Sequence, residues 1–255
     1  MNGGINNAFY DDLGSRWYEA EDDPVALLRA ESNLRGPWVR DVIKRELNRA
    51  NSEPTDVLDI ACGGGFLTNL LAKDNMRVTG IDLSSESLAV AARYDSTKSV
   101  RYVKADALAI PFPNASFDVV CAMDFLEHID RPDLVIAEAA RLVRPGGLFF
   151  FHTFSKNLLS RLLVIKGVEW FVKNTPPNMH VYDLFIDANE VSRMCAEKGL
   201  KVTEVRGVRP VIFQKAMFRL LTTREVSRDF RFKFVTSTIV SYSGYARRDA
   251  STLGN

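Results

Sequence analysis

From Asp56 to Phe151 the chain alternates short apolar runs with amphipathic stretches, which predicts strands joined by helices, parallel pairing and right-handed crossovers. Val57–Ile60 and Val119–Met123 are almost continuously apolar, as strands covered on both faces require. Ahead of them, Ala26, Leu27, Ala30, Leu34, Trp38, Val42 and Leu47 recur near a helical period. They predict a helical preface over residues 5–50, broken at Pro24 and Pro37. Asp130, shortly before Pro132, is expected to cap a helix that ends near Val143 and is stopped by Arg144-Pro-Gly-Gly. Further on, residues 156–173 and 189–198 read as helices, the second closed by Gly199, and 200–205 as a strand. A final strand pair through Tyr245 and a frayed tail from Arg247 complete the chain. The expected fold is α/β: a doubly wound, mostly parallel, seven-stranded sheet in one domain over 51–246. An N-terminal helical cap (1–50) precedes it, a helical lid is inserted at about 156–186, and 247–255 is tail.

Composition narrows the function classes. Hydrophobic residues at 46% and charged ones at 25% fit a globular chain with a sizeable core. A net charge of +1 gives no broad field to recruit nucleic acid. No apolar run reaches the roughly 18–20 residues of a membrane span, and residues 1–7 lack the basic and apolar regions of a secretory signal. Cys62, Cys121 and Cys195, at unrelated spacings, are expected to be reduced thiols in a cytoplasmic protein rather than a metal site.

The candidate chemistry begins at Val57-Leu-Asp-Ile-Ala-Cys-Gly-Gly-Gly65, followed seventeen residues later by Asp82 at the end of the next strand. Glycines let a backbone approach a ligand, and an acid at the second strand tip receives ribose hydroxyls. A dinucleotide fingerprint needs a third glycine, and Thr68 holds that place after Gly63 and Gly65. No cation lies between Val57 and Leu71 to meet a pyrophosphate, and Asp59 would repel one while helping a sulfonium. The reading is therefore S-adenosylmethionine, with Asp106 at the third strand end placed to accept from the adenine amine. Leu83 and Ala107, beside the two acids, and Met123, at the fourth strand end, belong to the same expected site.

Past the fourth strand, Asp124, Glu127 and His128 stand at i, i+3 and i+4 and would share one face of a helical turn. Two carboxylates and an imidazole on one face would hold a hard cation such as Mg2+, which lowers the pKa of a bound hydroxyl. Alternatively His128 alone serves as general base, or Glu127 and His128 merely satisfy backbone groups.

The strand ends, with Phe112-Pro-Asn-Ala-Ser-Phe-Asp118 and Arg144-Pro-Gly-Gly, resemble class I S-adenosylmethionine-dependent methyltransferases over about residues 55–155. Cys121-Ala-Met-Asp-Phe-Leu-Glu-His-Ile129 narrows the resemblance to the ubiquinone-biosynthesis O-methyltransferases, which methylate catechol hydroxyls on polyprenylated rings. Phe9-x-x-x-Leu13-x-x-x-Trp17-Tyr18, Asn33-Leu-Arg35 and the insertion over 157–186 agree with it. The resemblance implies that Arg35, Gly63, Asp82 and Met123 contact the cofactor, and that Asp124, Glu127 and His128 bind the metal, Glu127 and His128 being catalytic. Asp124 departs from the family's glutamate, and no likeness extends past about residue 205.

Leu158, Leu159, Leu162, Leu163, Trp170 and Phe171 crowd a segment that also carries Lys156, Arg161, Lys166 and Lys173. This composition suits an interfacial helix on anionic lipid, or an amphipathic lid on the core. The expected partner is a lipophilic small molecule, with peripheral contact through 156–173 at the inner face of the membrane. Rival readings are methylation at carbon or of an unrelated acceptor, a cofactor-binding protein without catalysis, and a nicotinamide enzyme. Nucleic-acid methylation is set aside, because no Asn/Asp-Pro-Pro-aromatic run follows the fourth strand.

Overall fold

A computed structural model describes residues 6–47 and 53–250. Eight strands form one sheet: β1 Thr55–Ile60, β2 Met76–Asp82, β3 Arg101–Lys104, β4 Phe117–Met123, β5 Val143–Phe154, β6 Leu200–Pro210, β7 Phe232–Val235 and β8 Ser241–Arg248. Their order is β3-β2-β1-β4-β5-β8-β6-β7. The first five pair in parallel, while β8 runs antiparallel between β5 and β6, and β7 is antiparallel at the β6 edge. The order reverses between β1 and β4, where an open sheet leaves a crevice beyond its carboxyl ends.

Helices cover both faces: α1 Arg16–Glu19, α2 Val25–Leu47, α3 Phe66–Leu71, α4 Ser85–Tyr94, α5 Pro132–Leu142, α6 Leu158–Ser160, α7 Gly167–Phe171, α8 Ala188–Glu197 and α9 Lys215–Thr223. The pleat divides the central strands between two cores. Val119, Cys121, Leu148 and Phe150 pack with Trp38, Val39 and Val42 of α2 and Leu71 of α3. Val120, Ala122, Phe149 and Phe151 pack with Val135, Ile136 and Ala139 of α5 and Val191 and Met194 of α8.

Several local expectations are corrected. The sheet has eight strands rather than seven, and the last two, β7 and β8, do not pair with each other but flank β6. Arg247 and Arg248 are not frayed: they end β8, donating respectively to the Gly146 carbonyl at 2.8 Å and to the Val143 carbonyl. Pro37 does not break α2, which runs through it for 23 residues. Burial of Trp38, Val39 and Val42 against the sheet outweighs the backbone bond that proline forfeits. Arg131, not Asp130, is the N-cap residue of α5, with proline in the first turn. The 156–173 helix is α6 and α7 joined by a π-helical stretch over Arg161–Lys166. Among the described residues no helix is long and apolar enough to cross a membrane.

Candidate active site

The crevice at the carboxyl ends of β1, β2, β3 and β4 holds a cavity of about 610 Å³. Asp59, Gly63, Asp82, Leu83, Asp106, Ala107 and Met123, all expected at the cofactor, line it. The turn after β1 is left-handed at Ala61, Gly63 and Gly65, with φ of 53°, 51° and 84°. Asp82 holds it shut: Oδ2 accepts the Gly63 N–H at 2.9 Å and Oδ1 the Ser84 N–H at 2.9 Å. Gly65 does not line the cavity. A Cβ there would lie 2.7 Å from the Ala91 Cβ and 2.9 Å from the Tyr102 hydroxyl, so this glycine lets α3 pack on α4.

Burial raises the Asp59 carboxyl well above its ordinary range, and Asp82 and Asp124 add to the effect. A cationic ligand would relieve that charge, whereas a pyrophosphate would worsen it. The roof comes from the chain's start. Trp17 lies over the glycines so closely that a Cβ on Gly63 or Gly64 would stand 2.7 or 2.6 Å from its ring. Tyr18 donates to the Gly64 carbonyl at 2.8 Å, and Tyr10 stacks on Trp17 with ring centroids 5.6 Å apart. The aromatic spacing of Phe9, Leu13 and Trp17 signals a buried helical face, but nothing in it says which loop is covered.

Beyond β4 the expected helical face does not form. Asp124 adopts a left-handed φ of 57°, and only Leu126–His128 make a turn of 3-10 helix. Asp124 is instead held by Arg35. The guanidinium, 2% exposed, donates to both Asp124 oxygens at 2.5 Å and lies 3.4 Å from Glu31, one helical turn earlier. Arg35, implied as a cofactor contact, lines neither cavity and grips the Asp124 loop.

His152 on β5 completes this group. Its Nε2 lies 3.4 Å from Asp124 and 3.8 Å from Glu31, and its Nδ1 is 2.9 Å from the Ser243 hydroxyl. If Ser243 donates, the ring proton sits on Nε2 and faces the two carboxylates. Burial and then Arg35 push the His152 pKa well below its ordinary value. Among the described residues, the acidic and imidazole atoms gathered within 4.8 Å are those of Glu31, Asp124 and His152. The expected trio of Asp124, Glu127 and His128 is not gathered, and both Asp124 oxygens already serve Arg35. That trio, with both Asp124 oxygens engaged, does not fit a divalent cation.

A second cavity of about 410 Å³ adjoins the first and is walled mainly by apolar side chains. Tyr10, Leu28, Asp124 and His128 line both, so the two spaces meet there. Glu127 faces only the second cavity. Its carboxyl is fully buried without a well-formed hydrogen bond, although the Thr153 hydroxyl stands beside it. Burial, then Asp124, raise its pKa to about 8. Burial lowers His128 to about 4, which leaves the ring neutral. Its ring lies 5.9 Å from Tyr10 and 5.7 Å from His180. Glu31 and the C-terminal wall were not read from sequence as site residues. The i, i+4 spacing of Glu31 to Arg35 is the only signal for the first.

A methyltransferase-domain family profile matches residues 58–151. The chain is 39% identical over 205 residues to a ubiquinone biosynthesis O-methyltransferase of Thiobacillus denitrificans, covering 79% of this chain and 84% of that one. To the protein of that name in Burkholderia pseudomallei it is 37% identical, covering 78% and 84%. Among solved structures, magnesium protoporphyrin IX methyltransferase from Synechocystis with bound SAH matches at a TM-score of 0.58 and 16% identity, over 98% and 90% of the two chains. A SAM-dependent methyltransferase from Aquifex aeolicus matches at 0.55 and 16%, over 95% and 98%. The chain is thus an S-adenosylmethionine-dependent methyltransferase and belongs to the ubiquinone biosynthesis O-methyltransferase family.

Proposed function

We propose that this enzyme methylates a phenolic or catechol hydroxyl on a lipophilic ring, a polyprenylated quinone precursor of the kind its relatives' name implies. One observation carries the reading: an acid-lined cavity and an apolar cavity meet at Tyr10, Leu28, Asp124 and His128. S-adenosylmethionine in the first cavity would supply the methyl at the junction, where Tyr10, Leu28, Asp124 and His128 would meet a ring held with its tail along the apolar wall of the second. Aligning the two reactants supplies much of the acceleration.

His128 lies where the methyl and the hydroxyl meet and takes the hydroxyl proton. A neutral imidazole with a pKa near 4 is a weak base towards a free phenol. It suffices because the attacked oxygen becomes a strongly acidic oxonium as its bond to the methyl forms. Glu127, in the same apolar wall, is raised to about 8 by burial and then Asp124, so near neutral pH it lines the acceptor cavity as an uncharged carboxyl. Asp59 and Asp82 favour the cationic cofactor over its neutral product.

The same reading places the enzyme in the cytoplasm at the inner face of the membrane. Its three cysteines are unpaired, and Leu158, Leu162 and Trp170 are exposed in a segment with four cations and one acid.

The test is turnover with methyl-labelled cofactor and a panel of short-chain catechol, phenol and quinol acceptors. A catechol should gain the label. His128→Ala should lower kcat by about 10²–10⁴ with cofactor affinity retained. Labelling of ring carbon, or binding without transfer to any acceptor, would remove the proposal.

A further inference from the structure

The C-terminal segment, past about residue 205, lies against the insertion. Val168 and Val172 share one apolar cluster with Ala216, Met217, Leu220, Val226 and Phe230. The Lys173 N–H donates to the Arg224 carbonyl at 3.2 Å, and the Arg224 guanidinium reaches the Glu169 and Val172 carbonyls at 3.2 and 3.3 Å. The insertion and α9 thus form one continuous surface. The apolar cavity is walled from both sides, by Leu163, Val168 and Phe171 of the insertion and by Ile212, Met217 and Leu221 of the C-terminal segment.

Outside that cavity, large apolar side chains face water on both sides of the seam. On the insertion these are Leu158 and Trp170, and on the C-terminal side Phe213, 97% exposed, and Phe218, 72% exposed. Neither phenylalanine lines either of the two cavities at the site. Exposed aromatic surface on this scale marks a binding face.

Charge identifies the occupant. Residues 156–173 and 209–233 together hold eleven of the chain's 33 cations and three of its 32 acids. The chain as a whole is close to neutral, so positive charge is concentrated in these two segments and the remainder is acidic. A second copy of this chain would bring the same positive charge to the contact and be repelled. An anionic bilayer meets both the charge and the phenyl rings.

We infer that α9 and its preceding loop are a second membrane-inserting lip, opposed to the insertion, with the acceptor's mouth between them. This rests on the membrane contact proposed for 156–173 and extends it to Phe213 and Phe218. A two-lipped mouth lets the ring enter while its tail remains in lipid.

The test is co-sedimentation with phosphatidylglycerol–phosphatidylcholine vesicles, against pure phosphatidylcholine vesicles, for the full chain and two double variants. Phe213→Ser/Phe218→Ser should weaken binding to the anionic vesicles by roughly tenfold per ring. Turnover of a short-chain water-soluble acceptor should be unchanged, which reports that the fold is intact. If Leu158→Ser/Trp170→Ser releases the protein while the phenylalanine variant stays bound, the second lip is wrong and the first contact stands. If the unaltered protein ignores anionic vesicles, both fall. A concentration-dependent dimer in sedimentation velocity, abolished by the phenylalanine changes, would assign the face to a second copy and overturn the proposal.

Discussion

Replacing Arg35 with Met should destabilise the folded protein far more than it weakens cofactor binding. The guanidinium is 2% exposed and makes two bonds of 2.5 Å to Asp124, with Glu31 3.4 Å away. Methionine keeps much of the stem's volume but leaves the buried Glu31 carboxyl and the half-buried Asp124 carboxyl uncompensated beside His152. Breaking a buried pair from one side costs about 3–5 kcal/mol, because the remaining charge is uncompensated. For a chain of 255 residues, about 2–4 °C per kcal/mol converts this to a fall in Tm of roughly 6–20 °C. The loss should shrink in the double variant Arg35→Met/Asp124→Leu, where the stranded charge is gone, so the two changes are strongly non-additive. Scanning calorimetry gives the Tm, and titration calorimetry with S-adenosylhomocysteine gives affinity for each variant. A variant melting with the unaltered protein but binding the cofactor product tenfold more weakly would refute the reasoning and return Arg35 to the cofactor.

Asp82→Ala removes charge-assisted bonds of about 1.5–3 kcal/mol each and strands the Gly63 N–H, so cofactor affinity should drop at least about tenfold; unchanged calorimetric affinity in a folded variant speaks against it. Because Arg35 holds both Asp124 oxygens, turnover in a chelator should stay within about twofold of that with added magnesium, and abolition by the chelator would show that Asp124 leaves Arg35 to bind metal. Stability should also fall on the alkaline side of about pH 6.5. Burial raises Glu31 from 4.5 to about 7 and Glu127 from 4.5 to about 8, so both favour the folded state when protonated. Their contribution is complete below pH 4.5 and is lost as pH rises through those values, by up to about 1.4 kcal/mol per pH unit for each. His128 and His180, lowered by burial from 6.5 to about 4 and about 3, act oppositely, since the unfolded chain takes up their protons first as pH falls below 6.5. A Tm that is flat from pH 6.5 to 8 in metal-free buffer would contradict these burial effects.

The sequence by itself determined the parts of this protein whose information is local. Apolar runs at sheet spacing, the glycine turn after β1 and the acids at the tips of β2 and β3 each depend on a few neighbouring residues. Gly63, Asp82 and Asp106 stand at the crevice, with Asp82 closing the Gly63 turn, while Gly65 packs against α4. The tertiary structure alone decided what depends on distant partners. Asp124, Glu127 and His128 look like one face by spacing, yet a left-handed Asp124 and an arginine 89 residues away separate them. Pro37 reads as a helix break until the sheet supplies a surface worth more than one backbone bond. Trp17 over the glycines, His152 between two acids and α9 against the insertion are likewise meetings of far-apart segments. Periodicity fixes which side of an element is buried, but only packing fixes what it is buried against.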